Sequence, residues 1–119
     1  MTARELARRC RETGVHYQIE VNEFLDDFRR ASPAERAAMV EVGPENCGSL
    51  EGLVAAVASA LCREAAIEAP EWTRHIHSHE PFFAFPARGF ALRLRLMLES
   101  PPAFRVRNVF VPESYLDRA

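Results

Sequence analysis

The segment SLEGLVAAVASALCREAAIE, Ser49–Glu68, decides how the rest of the chain must be arranged. Leu50, Leu53, Val54, Val57, Leu61 and Ala65 recur at the three-and-four spacing that lines one side of an α-helix. Ser49 stands where a hydroxyl can cap the first turn. The other flank carries Ala55, Ala56, Ala58, Ser59 and Ala60, small side chains that let neighbours approach closely on either side. The expectation is a long helix from Ser49 to about Glu68 at the centre of the core.

Working back from it, Val21, Phe24, Leu25 and Phe28 follow the same spacing within Tyr17–Arg30. Glu20, Glu23, Asp26, Asp27 and Arg30 fall outside that stripe, as solvated carboxylates and a cation do on a surface helix. Ser32-Pro33-Ala34-Glu35 reads as a capping box with proline at the first helical position, where a missing N–H costs nothing. A short helix should follow to about Val42 and stop at Gly43-Pro44, making a helical hairpin. Thr2 to Glu5 forms a second such box. The helix it starts is thin in apolar residues (Leu6, Ala7, Cys10) and ends at Thr13-Gly14, so residues 1–14 are expected as a peripheral arm.

Beyond Glu68 the chain is punctuated by Pro70, Pro81, Pro86, Pro101, Pro102 and Pro112. Trp72, Phe82, Phe83 and Phe85 lie among the first three, and aromatics in such a loop are expected to clamp it onto the helices. Gly89–Glu99, GFALRLRLMLE, alternates with period two like a strand, yet it is built from helix formers without one β-branched residue, which favours helix. Phe104–Val111 reads as extended, with a final turn after Pro112. The expected fold is mainly α: a small single-domain helical bundle over 1–119 with a Pro/aromatic-rich loop and an extended, β-like C-terminal tail.

With 119 residues, 48% hydrophobic and 27% charged, the chain has the composition of one globular domain. No apolar run approaches the roughly 20 residues that span a bilayer, and the start MTARELARRC lacks the apolar centre of a signal peptide. A cytoplasmic protein without membrane partners is expected. Cys10, Cys47 and Cys62 are odd in number, widely spaced and without a CxxC pair, as reduced thiols would be. Every Lys/Arg position is Arg, and the charge is uneven: residues 1–73 hold eight Arg against thirteen acids, residues 74–119 seven Arg against four.

Three constellations could carry function. His75, His77 and His79 alternate in one segment, so in an extended chain their imidazoles could converge on a metal, the basis of a metal-binding enzyme. Arg88, Arg93, Arg95, Arg105, Arg107 and Arg118 make the C-terminal half basic. A DNA-binding regulator could use them, although a net charge of −2 for the whole chain predicts only weak nucleic-acid affinity. Within the tail SPPAFRVRNVFVP, Ser100–Pro112, the residues Arg105, Arg107, Asn108 and Phe110 are candidate contacts for a protein partner. Nucleophile elbows, glycine-rich phosphate cradles and GK[ST] are missing, which weighs against an enzyme, and no cofactor is expected.

The order FLDDFRRASPAERAAMV (24–40), LEGLVAAVASAL (50–61), APEW (69–72), EPFF (80–83) and ESPPAFRVRNVFVPESYLDRA (99–119) resembles an uncharacterised family of small actinobacterial-type helical proteins, some paired with nucleotidyltransferase-like toxins. That resemblance implies an antitoxin: a non-enzymatic protein-interaction module that neutralises a toxin. The match departs at RHIHSH (74–79), which stands where an acidic, aspartate-containing loop is expected. Oligomeric state is left open by the sequence.

Overall fold

The computed structural model describes residues 1–84 and 89–118, so Phe85, Pro86 and Arg88 lie outside the described residues. The molecule is mainly helical: α1 (Ala3–Thr13), α2 (Tyr17–Arg30), α3 (Pro33–Glu41), α4 (Ser49–Glu64), α5 (Phe90–Glu99) and a single turn α6 (Pro102–Arg105). Strands β1 (Phe82–Phe83) and β2 (Val109–Phe110) pair in parallel, Phe82 opposite Val109 and Phe83 opposite Phe110. No helix among the described residues is long and apolar enough to cross a membrane.

α4 is the central helix. Leu53, Val54, Ala55, Ala56, Val57 and Ala58 are all buried, so every side of its middle is covered. α1 and α2 pack on it from one direction, and α6, β2 and the 3-10 turn Glu71–Arg74 from another. At Gly52 the 77–78 backbone comes so close that an added Cβ would lie 3.0 Å from the Ser78 nitrogen. The α2 stripe is as expected, with Val21, Phe24, Leu25 and Phe28 all buried, each contributing roughly 1.5–3 kcal/mol of transfer free energy.

The helix ends differ from expectation in instructive ways. Ser32 and Glu35 form the reciprocal capping box. At α1 only half of one forms: Thr2 accepts from the Glu5 N–H at 3.1 Å, whereas the Glu5 carboxylate accepts from Arg9 at 3.0 Å. At α4 the cap is Gly48, not Ser49; the Glu51 carboxylate accepts from the Gly48 N–H at 2.8 Å, which frees the Ser49 hydroxyl to bond that of Ser78 at 2.9 Å. α4 also stops at Glu64. Ile67 and Ala66 donate their N–H groups back to Cys62 (2.9 Å) and Arg63 (3.2 Å), a Schellman turn with Ala66 at φ 58°. The apolar pattern continues through Ile67 because that side chain folds back onto the core, not because the helix goes on.

Residues 1–14 are not a peripheral arm. Ala3, Leu6, Ala7 and Cys10 are buried, and Arg11 forks onto Glu51 of α4 with both bonds at 2.6 Å. Small residues made the stripe look thin, and they are what lets α1 lie close to α2 and α4. The tail is also less extended than expected. Pro102 starts the helical turn α6, which buries Phe104, and only Val109–Phe110 is strand.

Candidate interaction surface

α5 has an unusual setting. The chain leaves the body at Ala84, whose N–H donates to the Phe110 carbonyl at 3.1 Å, and returns at Ser100, whose hydroxyl donates to the Val111 carbonyl at 3.0 Å. The Val111 N–H in turn donates to the Ser100 hydroxyl at 2.9 Å. Ala84 and Ser100 are thus fastened to consecutive residues of the tail, Phe110 and Val111. Gly89, at φ 89°, turns the chain into the helix, and Ser100-Pro101-Pro102 ends it.

Helix formers win over the period-two pattern in this segment, and the alternating leucines are therefore spread around the helix. Leu96 alone is buried; it packs with Phe110 and half-buried Phe83 in a small cluster separate from the main core. Phe90, Ala91, Leu94, Met97 and Leu98 lie at i, i+1, i+4, i+7 and i+8, a single apolar stripe on the side away from Leu96. All five are exposed, Phe90 at 81% and Leu98 at 69%. A stripe that normally meets a core here meets solvent. Its charged flanks are satisfied internally: Arg95 pairs with Glu99 at 3.3 Å, and the Arg93 guanidinium lies 5.4 Å from the centre of the Phe83 ring.

The residues singled out in the tail serve the fold. Arg107 does not project; it is buried and donates to the Thr73 carbonyl at 3.0 and 2.8 Å and to the Ala103 carbonyl at 2.7 Å. Burial lowers its pKa. Phe110 is buried, its ring 5.3 Å from that of Phe83. Asn108 adopts φ 61°, a conformation asparagine tolerates, and its side-chain amide donates to the Ser78 carbonyl at 3.3 Å. Arg105 is the exposed member of the set and donates to the Ser100 carbonyl at 3.0 Å. As a partner-binding group of four, these residues are corrected to one surface arginine and three structural positions. Arg118 closes onto Asp26 through two 3.0 Å bonds, so the described C-terminal arginines are engaged within the chain and offer no open basic stripe.

The histidines are exposed but do not converge. His77 and His79 meet edge to face with ring centres 5.2 Å apart, while His75 faces Glu71 at 3.6 Å. Among the described residues no three His, Cys, Asp or Glu side chains are grouped to hold a metal. The candidate metal site at His75, His77 and His79 is not assembled: the three imidazoles are exposed and are not brought together. His75, at φ −102° and ψ −7°, closes the turn Glu71–Arg74 and falls out of line, while exposed His77 and His79 alternate with buried Ile76 and Ser78. Comparison with protein-family models, with curated proteins and with solved structures finds no match for the chain.

The outward stripe of α5 was present in the sequence but masked by the leucine alternation. A helical projection of residues 90–98 sets Leu92 and Leu96 on one side and Phe90, Ala91, Leu94, Met97 and Leu98 on the other, and Leu96 alone of them is buried.

Proposed function

We propose that the protein is a non-enzymatic protein-interaction module whose contact element is α5, with the neutralising partner of a bacterial toxin as the specific role. The observation that supports this is the solvent-facing stripe of Phe90, Leu94, Met97 and Leu98 on a helix whose C-terminal end is fastened to the body through Ser100 and Val111. Docking an amphipathic helix into an apolar groove is a recurring mode of protein recognition, with anchors at this spacing. A helix already formed and fastened at one end loses less conformational freedom on binding than a free segment, so more of the contact energy appears as affinity. The antitoxin role rests on the order of sequence segments and on this surface together. Occlusion of a toxin active site, or coupling of the complex to DNA, is its mode of action, and the cytoplasm its place.

Co-expression with the product of the adjacent gene tests the role. A complex that survives purification is expected, and Leu98→Glu should abolish it while circular dichroism shows the fold intact. Recovery of the partner by wild type and variant alike removes α5 as the contact element. Absence of any complex removes the antitoxin role.

A further inference from the structure

We infer that the partner of α5 is a protein face that is apolar along its middle and bordered by carboxylates on both sides. This rests on the reading of α5 as the contact element and adds the chemistry of what it contacts. The stripe of Phe90, Leu94, Met97 and Leu98 has an arginine along each edge. Arg93 stands four residues before Met97 and Arg95 three before Leu98, which puts the two guanidiniums on opposite flanks of the apolar positions. A third, exposed Arg105, donates to the Ser100 carbonyl at 3.0 Å and so sits at the C-terminal end of the helix. Glu99, the only acid of α5, is drawn toward the tail, where it accepts from the Glu113 N–H at 3.4 Å. The apolar stripe is thus framed by positive charge on three sides.

The contacts these arginines make within the chain leave them able to meet a partner. Arg95 and Glu99 form an exposed pair one helical turn apart, a kind worth little, and a guanidinium can be shared between two carboxylates. Arg93 meets the Phe83 ring, and a planar guanidinium stacks through its face while donating from its edge. Beside Arg93 the surface dips into an open hollow of about 240 Å³ lined by Pro81, Phe83, Phe90, Arg93, Leu94 and Met97. With apolar and aromatic walls and one cation, it suits an apolar side chain that has a carboxylate next to it. Such relief favours a protein over a flat lipid surface, and a stripe apolar along its middle does not match a phosphate backbone. Charges arranged in this way speed encounter and select partners more than they add affinity.

The test uses the full chain and two labelled helical peptides of about three heptads, one with leucine at positions a and d and glutamate at e and g, its twin with lysine at e and g. By fluorescence anisotropy at about 20 mM salt the glutamate peptide should bind roughly tenfold more tightly than the twin, and the difference should shrink by about 300 mM as the charges are screened. Arg95→Gln with Arg105→Gln should remove the preference and Arg95→Glu with Arg105→Glu should reverse it, with circular dichroism unchanged. Equal affinity for the twins, a preference for lysine, or no binding of either peptide up to about 1 mM overturns the inference. Tighter binding to vesicles of anionic phospholipid than to the glutamate peptide overturns it as well. The two readings fail separately: a toxin complex indifferent to the charge at Arg95 and Arg105 sinks this inference alone, and a preference for the glutamate peptide without any toxin complex sinks the antitoxin role alone.

Discussion

Replacing Arg11 by Met removes a guanidinium from the α1–α4 junction while keeping most of the aliphatic stem. What remains is the Glu51 carboxylate, whose side chain is 1% exposed, with backbone N–H groups at the start of α4 as its hydrogen-bond donors. Deleting one member of a fully buried ion pair costs about 3–5 kcal/mol. Arg11 is 49% exposed, however, so water already carries part of the solvation in the wild type and can reach the carboxylate in the variant. The positive end of the α4 dipole returns about 0.3–1 kcal/mol. The expected loss is therefore about 2 kcal/mol at pH 7, a large share of the roughly 5–15 kcal/mol of a typical domain. With a slope of about 1–1.5 kcal/mol per molar urea, the unfolding midpoint followed at 222 nm should fall by about 1.5 M.

The same variant has a pH signature. Burial works to raise the Glu51 pKa, but the hydrogen bonds from Arg11 and Gly48 and the Arg11 charge outweigh it, and the net shift is downward. A carboxyl with a depressed folded-state pKa stabilises the protein above its unfolded value, near 4.3, and loses that contribution as pH falls through the folded value. The gap between wild type and Arg11→Met should accordingly be full at pH 7 and shrink below about pH 4. A gap under about 0.5 kcal/mol, the scale of an ordinary surface substitution, or one that is unchanged between pH 7 and pH 3, would refute the assignment of this pair as the α1–α4 tie.

Ala66→Gly should stabilise the protein by about 0.5–1 kcal/mol, because the Schellman turn holds this exposed residue at φ 58°, where a Cβ is strained; a lower urea midpoint would contradict that. Gly43→Ala should cost about 2–3 kcal/mol, since a Cβ there would sit 2.3 Å from Cδ2 of Trp72 and lever the indole away from the Val40 carbonyl it bonds at 2.7 Å. Trp72 is the only tryptophan, so its emission should shift to the red, and an unshifted spectrum would show that the ring had not moved. For the thiols, burial pushes Cys10 up to about 12 and raises Cys62, while Cys47 is exposed. At pH 8 a chromogenic disulfide reagent should titrate Cys47 quickly in the native protein and all three thiols only in urea, and rapid reaction of more than one native thiol would show that the α1–α2–α4 packing opens readily.

What could be read from the sequence divides by whether a residue's partner is local. The Phe24–Phe28 stripe, the Ser32–Glu35 box and the α4 core follow from spacings of three and four, and they form as read. Arg11 and Glu51 stand 40 positions apart, so nothing in a local window joins them; with that tie invisible, a helix built on Ala3, Ala7 and Cys10 looks detachable. Arg107 misleads in the opposite way. An arginine between valine and asparagine reads as a surface contact, yet carbonyls of Thr73 and Ala103, set free at the turns that hold them, need donors deep in the fold. At α5 the composition names the element, while its orientation depends on Leu96 finding Phe110 and Phe83, a choice that only the packed chain reveals.

The clasp that joins Ala84 to Phe110 and Ser100 to Val111 confines what evolution must preserve. Side chains on the outer side of the intervening helix can change without asking anything of the interior, since the knot that anchors the excursion is made by backbone groups and one serine. New specificities can arise there by swapping a handful of surface positions on an unaltered frame, as interchangeable bits fit one tool handle.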